Sequence, residues 1–158
     1  MDDSLHELVE ARAIEQLMIR YIDRIDANDP VGAASCFADD GVGIYWGEYR
    51  GRAAIAQRLA DILDGFVHTS HHLSNVAAAI DGDRATAQAY VYAFHRRAQT
   101  NDFLHYWGRW VDALAKVEGR WLFTRREVVG IGSYTAGDGE KDRQFPGHPG
   151  RITRHRGA

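Results

Sequence analysis

The chain has 158 residues, 45% apolar and 26% charged, the size and composition of one ordinary globular domain. Nineteen basic against 22 acidic residues leave a net charge of −3, too balanced to argue for a nucleic-acid or acidic-membrane partner. A lone cysteine, Cys36, excludes an internal disulfide, and apolar runs such as 76–80 fall far short of a membrane span. The opening Met1-Asp2-Asp3-Ser4 has neither the basic start nor the apolar stretch of a signal peptide, so a small cytoplasmic α+β domain is expected.

In chain order, the first predicted element is a helix capped by Ser4, with Glu7 at the capping-box spacing. Ile14, Leu17, Met18, Tyr21, Ile22 and Ile25 recur at three- and four-residue steps and form one apolar stripe. The next position on that stripe is Asp26. A carboxylate there is costly unless it is hydrogen-bonded or paired, although helix phase equally allows a wet position at the helix end.

Asn28-Asp29-Pro30 predicts a break and a short second helix over 30–37, closed by Asp39-Asp40-Gly41. Residues 42–49 read as a strand or hairpin edge, and 51–63 return to helical period with Ile55, Leu59, Ile62 and Leu63 apolar. From 67 onward the pattern is that of sheet. A strand over 67–80 leads into the hairpin signal Asp81-Gly82-Asp83, and a second spans 85–98. Two more, 103–117 and 121–131, join at Glu118-Gly119-Arg120. Along 85–98, Ala87, Ala89, Val91, Ala93 and His95 share one face, while Thr86, Gln88, Tyr90, Tyr92 and Phe94 share the other. The order predicts α+β: three helices closing one face of a curved antiparallel sheet. Residues 1–132 form the domain, and 133–158, rich in glycine and arginine, form an arm or tail.

Candidate chemistry is sparse. His71 and His72 point to opposite faces of a strand, so at most one enters a given cavity. His95 ends the small-residue face, where four modest side chains leave room for a pocket. Arg96 and Arg97 read as solvated. The histidines lack the spacing of a metal site, no glycine loop precedes a helix in the manner of a phosphate site, and Cys36 has no evident base. No metal or cofactor is expected.

The segments Ala13-Ile14-Glu15-Gln16-Leu17 through Tyr21 to Asp26, and Phe37-Ala38-Asp39-Asp40-Gly41, resemble the opening of SnoaL-like proteins. Gly51-Arg52-Ala53-Ala54-Ile55, Thr69-x-His71-x-x-x-Asn75, Asp81-Gly82-Asp83-x-Ala85 and Gly119-Arg120-Trp121 with Arg126 continue the resemblance over about residues 5–132. It implies the nuclear-transport-factor-2-like cone, a curved sheet around a pocket closed by the N-terminal helices. Within that superfamily the motifs are similar to scytalone dehydratase and hexachlorocyclohexane dehydrochlorinase, which use an Asp on the first helix and a His on the sheet without a cofactor.

The resemblance carries those roles to Asp26 and His71, with His95 at about the place of a second pocket histidine. The tyrosine that precedes the aspartate in scytalone dehydratase is Ile25 here, and Tyr45 or Tyr49 stands for its other water-holding tyrosine. Tyr21, Tyr45, Trp46, Tyr49 and Arg126 are the expected substrate-binding residues. The implied activity is a dehydratase-like elimination on a small cyclic or aromatic molecule. Alternatives are a ketosteroid-isomerase-like or polyketide-cyclase activity, or a non-catalytic ligand-binding or oxygenase β-subunit-like domain. The aromatic face carrying Tyr90 predicts a homo-oligomer, a dimer or trimer.

Overall fold

The computed structural model describes residues 3–136. Three helices, α1 (Asp3–Asp26), α2 (Pro30–Ala34) and α3 (Arg52–Leu63), lie against one six-stranded sheet. Its strands are β1 (Phe37–Ile44), β2 (Glu48–Arg50), β3 (Phe66–Asp81), β4 (Arg84–Arg97), β5 (Phe103–Val117) and β6 (Arg120–Ala136). The spatial order is β2-β1-β6-β5-β4-β3. All neighbours run antiparallel except β1 and β6, which are parallel, so the sheet is mixed at one side and open.

The apolar stripe of α1 drives the packing. Ile14, Leu17 and Met18 are fully buried, and Tyr21, Ile22 and Ile25 nearly so. They share one core with the small inward residues of β4, Ala85, Ala87, Ala89 and Val91, while the helix itself lies nearest β3. The far end of α1 is held by a polar clamp: buried Glu10 accepts from Lys116 Nζ at 2.6 Å and from Trp121 Nε1 at 2.7 Å.

Several predicted boundaries shift. Ser4 already lies inside α1. The second helix stops at Ala34, because Phe37 is needed in β1, where it pairs in register with Phe123 and is fully buried. Asp39, Asp40 and Gly41 therefore belong to β1 and do not close a helix. The element expected at 42–49 is the end of β1, a turn at Tyr45-Trp46-Gly47, and β2. Trp46 takes φ +56 there, a left-handed conformation unusual for a bulky side chain.

Register irregularities bend the long strands around the helices, among them an extra residue in β6 at Thr124, since Phe123 pairs with Leu114 and Arg125 with Ala113. In β3 the register slips between Ser74 and Ala77, where Asn75 has φ +52. In β6, Gly132 pairs with Trp107 but Gly130 pairs with Gly108, leaving Ile131 as an extra residue. Such bulges increase local twist and re-aim side chains. Beyond this one β6 continues to Ala136, pairing with Phe103, so residues 133–136 are strand and not arm. The remainder of the expected arm, 137–158, lies outside the described residues.

Candidate active site

The helices and the inner face of the sheet enclose a cavity of about 430 Å³. Ile25 of α1 and Leu59, Ile62 and Leu63 of α3 form one side, and Val91, Trp110 and Val128 of the sheet form the other. The walls are mostly apolar, so each polar group that reaches the interior stands out. Such a lining fits a small, largely apolar ligand.

Asp26 ends α1 against β3, where the sheet brings His71 and Thr69 to it. Its Oδ1 lies 2.7 Å from His71 Nδ1 and accepts from the Thr69 hydroxyl at 2.8 Å. Its Oδ2 accepts the His71 main-chain N–H at 2.9 Å. Burial alone would raise the Asp26 pKa, but the His71 ring hydrogen bond and charge, the main-chain N–H and Thr69 together hold it below the usual carboxylate range. With Nδ1 engaged by a carboxylate, Nε2 is the ring nitrogen left as a base. His71 lines the cavity. The neighbouring His72 turns to the opposite face, near Ser70 and the Tyr92 ring.

His95 also lines the cavity, its ring edge-on to His71 with centroids 5.3 Å apart and tilted against Phe66 at 4.5 Å. Burial, with the neighbouring His71, pushes its pKa down to about 4. At neutral pH it is an uncharged imidazole, and its buried Nδ1 has no protein hydrogen-bond partner.

Tyr21 and Tyr45 meet in the cavity wall with hydroxyls 2.8 Å apart. Burial raises both, Tyr21 to about 12, so both stay protonated. One O–H donates within the pair, which leaves the other hydrogen free for a bound molecule. Trp46 lines the cavity and is largely exposed, at 70%.

Two of the expected substrate-binding residues lie elsewhere. Tyr49 is not in the cavity wall; its ring packs against the Arg58 guanidinium. Arg126 is fully buried beneath the cavity, in a two-pronged pair with Asp112 at 2.9 and 2.6 Å. The rings of Tyr21, Trp110 and Phe123 cover its guanidinium at 4.5, 4.1 and 3.8 Å. Burial opposes its charge, and the Asp112 carboxylate more than offsets this, raising the Arg126 pKa. Arg126 therefore underpins Tyr21 and is not among the residues that line the cavity.

Arg97, expected in solvent, lines the cavity and pairs with Asp102 at 3.2 Å. Tyr106 and Ser133 also line it without having been singled out by the sequence. Strand alternation from Trp110 would have placed Tyr106 inside, and alternation from Trp121 and Phe123 would have placed Ser133 there too, because the β6 bulges at Thr124 and Ile131 cancel. Among the described residues no group of three or more His, Cys, Asp or Glu side chains could hold a metal ion, and no helix is long and apolar enough to cross a membrane.

Comparison with known proteins places this geometry among relatives. Residues 6–127 match the SnoaL-like domain family. A crystal structure from Novosphingobium aromaticivorans DSM 12444, provisionally designated a scytalone dehydratase, is 30% identical, with TM-score 0.77 over 90% of this chain and 100% of that one. A protein of unknown function from Mycobacterium tuberculosis is 27% identical, with TM-score 0.74 over 82% of this chain and 76% of that one. A hexachlorocyclohexane dehydrochlorinase is similar in fold, with TM-score 0.80 at 18% identity over 91% of this chain and 99% of that one. No curated protein matches the sequence significantly.

Proposed function

The chain belongs to the SnoaL-like family, and from that premise we propose that it is a lyase catalysing elimination from a small cyclic or aromatic molecule without a cofactor. The observation that carries this reading is the Asp26–His71 pair at 2.7 Å, set in the wall of an apolar cavity. Asp26 fixes the ring so that Nε2 acts as the base, and it stabilises the imidazolium that forms.

His71 removes a proton from carbon beside an activating group. The C–H electron pair becomes the new double bond, and the leaving group departs from the neighbouring carbon with its own pair. The proton taken by His71 is then available to leave with the departing group. A leaving oxygen finds the free O–H of the Tyr21–Tyr45 pair as its donor. His95 fits the role of an uncharged hydrogen-bonding partner better than that of an acid, because its low pKa leaves it without a proton to give at neutral pH. General-base assistance of this kind is worth about 10²–10⁴ in rate.

The test is turnover of a cyclic β-hydroxyketone and of a chlorinated cyclohexane, followed by appearance of the unsaturated product. Elimination from either, lost in His71→Ala, supports the reading. Return of the proton to the substrate without loss of a group would instead mark an isomerase. No reaction with either, or full activity in His71→Ala, rejects the elimination mechanism.

A further inference from the structure

We infer that Arg97 is an anion anchor and that the ligand of this cavity is a ring carboxylic acid, its carboxylate on the Arg97 guanidinium and its ring against His71. The inference rests on the proposed function for a ring compound in this cavity, and not on the reaction that follows.

Charge singles out this side chain. Among the residues that line the cavity, Arg97 alone carries a permanent charge, and the wall holds no carboxylate. Asp26 is not part of that wall, and its oxygens are taken by His71 and Thr69. His95 is uncharged at neutral pH, its pKa lowered by burial first, then by His71 and by Arg97 itself. The guanidinium field therefore reaches the interior, where Phe66, its register partner, and Leu104 provide apolar surroundings. A charge–charge contact there is stronger than in water.

Geometry leaves the group able to bind. Arg97 is the last residue of β4 and follows Val91 and His95 along the lining. Its side chain is 37% exposed, so a ligand can reach it, unlike Arg126 in the core. Nη1 lies 3.2 Å from Asp102 Oδ2. A guanidinium offers several N–H donors, and no second protein acceptor meets Arg97 among the described residues.

The turn behind Arg97 fixes its place. Its main-chain N–H donates to the Asp102 carbonyl at 3.0 Å, and the Thr100 hydroxyl donates to Asp102 Oδ1 at 2.7 Å. Asp102 thus holds both main chain and side chain of Arg97, as Asp26 does for His71, and is a positioning residue. The edge of the planar fork that Asp102 leaves open suits a carboxylate, which takes two parallel N–H bonds.

Spacing sets the size of the ligand. His71 pairs with Ala93, and Arg97 stands four residues further along β4 on the same face. The two anchors are about 13 Å apart along the strand, with His95 between them and its ring 5.3 Å from that of His71. Side chains that reach inward from both ends leave the span of a two-ring acid.

The experiment titrates the full chain with 2-naphthoate and 2-naphthamide, which share a shape and differ in charge, and reads binding by calorimetry. The wild type should bind naphthoate about tenfold more tightly, equivalent to about 1.4 kcal/mol, and added salt should shrink that preference. Arg97→Gln should lose it by weakening naphthoate alone. Arg97→Lys, which keeps the charge but not the fork, should retain part of it and guards against an effect on folding. Arg96→Gln and Ser133→Ala should keep it, which separates the anchor from net charge and from the neighbouring hydroxyl. Neither probe carries a group to eliminate. Naphthoate preference without turnover of any substrate would leave the anchor standing while the elimination reading fell, and turnover of neutral ring compounds with equal affinity for the two probes would do the reverse. Equal affinities in the wild type, failure of both probes to bind at millimolar concentration, or a preference unchanged in Arg97→Gln would each overturn the assignment.

Discussion

The Asp26 carboxylate holds His71 at two points, taking the ring Nδ1 on one oxygen and the main-chain N–H on the other. Ring orientation and strand position are thus fixed by one side chain that arrives from a different element, the C-terminal end of α1. This arrangement makes the final turn of the helix a polar anchor for β3 as well as a packing surface. Ile25, one residue earlier, lines the cavity, while Asp26 crosses to the strand.

Replacement of either partner should therefore cost activity far more than stability. His71→Ala removes the base and should lower turnover by about 10²–10⁴. Asp26→Asn keeps the shape but offers an amide where a carboxylate fixed the tautomer, and should fall in the same range. His72→Ala, on the opposite face beside Tyr92, should be near wild type. Comparable losses in all three variants would mean that this strand is sensitive to any change and would remove the special role of His71.

A second prediction concerns the buried ion pair. Arg126 and Asp112 are both fully shielded and face each other in register across β5 and β6. Arg126→Ala strands a buried carboxylate and should destabilise the fold by about 3–5 kcal/mol. The double variant Arg126→Met with Asp112→Leu leaves no uncompensated charge and should recover most of that loss. Chemical denaturation of the single and double variants checks this; a double variant no more stable than Arg126→Ala would show that the pair does not act as a unit.

How far the fold and site were legible depends on whether local pattern or tertiary register decides a residue's place. The α1 stripe announced itself through helical period, and Asp26 was conspicuous because it continued that stripe with a charge. The alternation of β4 likewise separated Ala87, Ala89, Val91 and Ala93 from the outward-facing Tyr90 and Tyr92, as burial bears out. The middle of β6 was not legible: period-two counting inverts at a bulge at Thr124 and inverts back at the Ile131 bulge, and bulges follow from pairing between strands. Arg126 and Val128 are therefore out of phase, while Ser133 is in phase with Trp121 and Phe123. The burial of Arg126, which falls between the two bulges, was hidden for the same reason. A strand arginine is ordinarily exposed, and only the register with Asp112 and the surrounding rings explains its burial. The short β1 was hidden because its pairing with β6 is parallel and non-local, so Phe37 reads as helix from sequence alone.

The pH dependence of stability has a defined sign in two windows. His95 is depressed to about 4 in the fold, against an unfolded value of about 6.5. Between those values the unfolded chain binds a proton that the folded chain refuses, so stability falls as pH is lowered through that window. Asp26 and Glu10, both held below their ordinary values, act further down: their contribution is present above the unfolded carboxylate range and is lost as pH falls through their folded values. Melting temperatures of His95→Phe should therefore change less than wild type between pH 6.5 and 4, while both proteins decline below that range. An identical slope in the two proteins would show that His95 is not the titrating group.

The outward face of the sheet leads to the last prediction. Tyr92 contacts the rings of Trp107 and His105 at 5.5 and 6.0 Å, and His105 contacts Tyr134 at 6.2 Å, forming one band of rings across β4, β5 and β6. Along and beside it Tyr90, Trp107 and Tyr134 remain 44%, 43% and 62% exposed. A contiguous aromatic surface of this kind is uncommon on a monomer, and a stable pair of subunits buries about 800 Å² on each partner. A second copy of the chain, presenting the same band, is the occupant proposed for it, in a dimer or trimer. Sedimentation velocity at micromolar concentration should give an oligomer for the full chain. Trp107→Asp combined with Tyr134→Asp, which puts charge into the band without touching the cavity lining, should shift it to monomer while leaving the circular-dichroism spectrum unchanged. A monomeric wild type, or an oligomer indifferent to both charges, would move the interface elsewhere and leave this face without a partner.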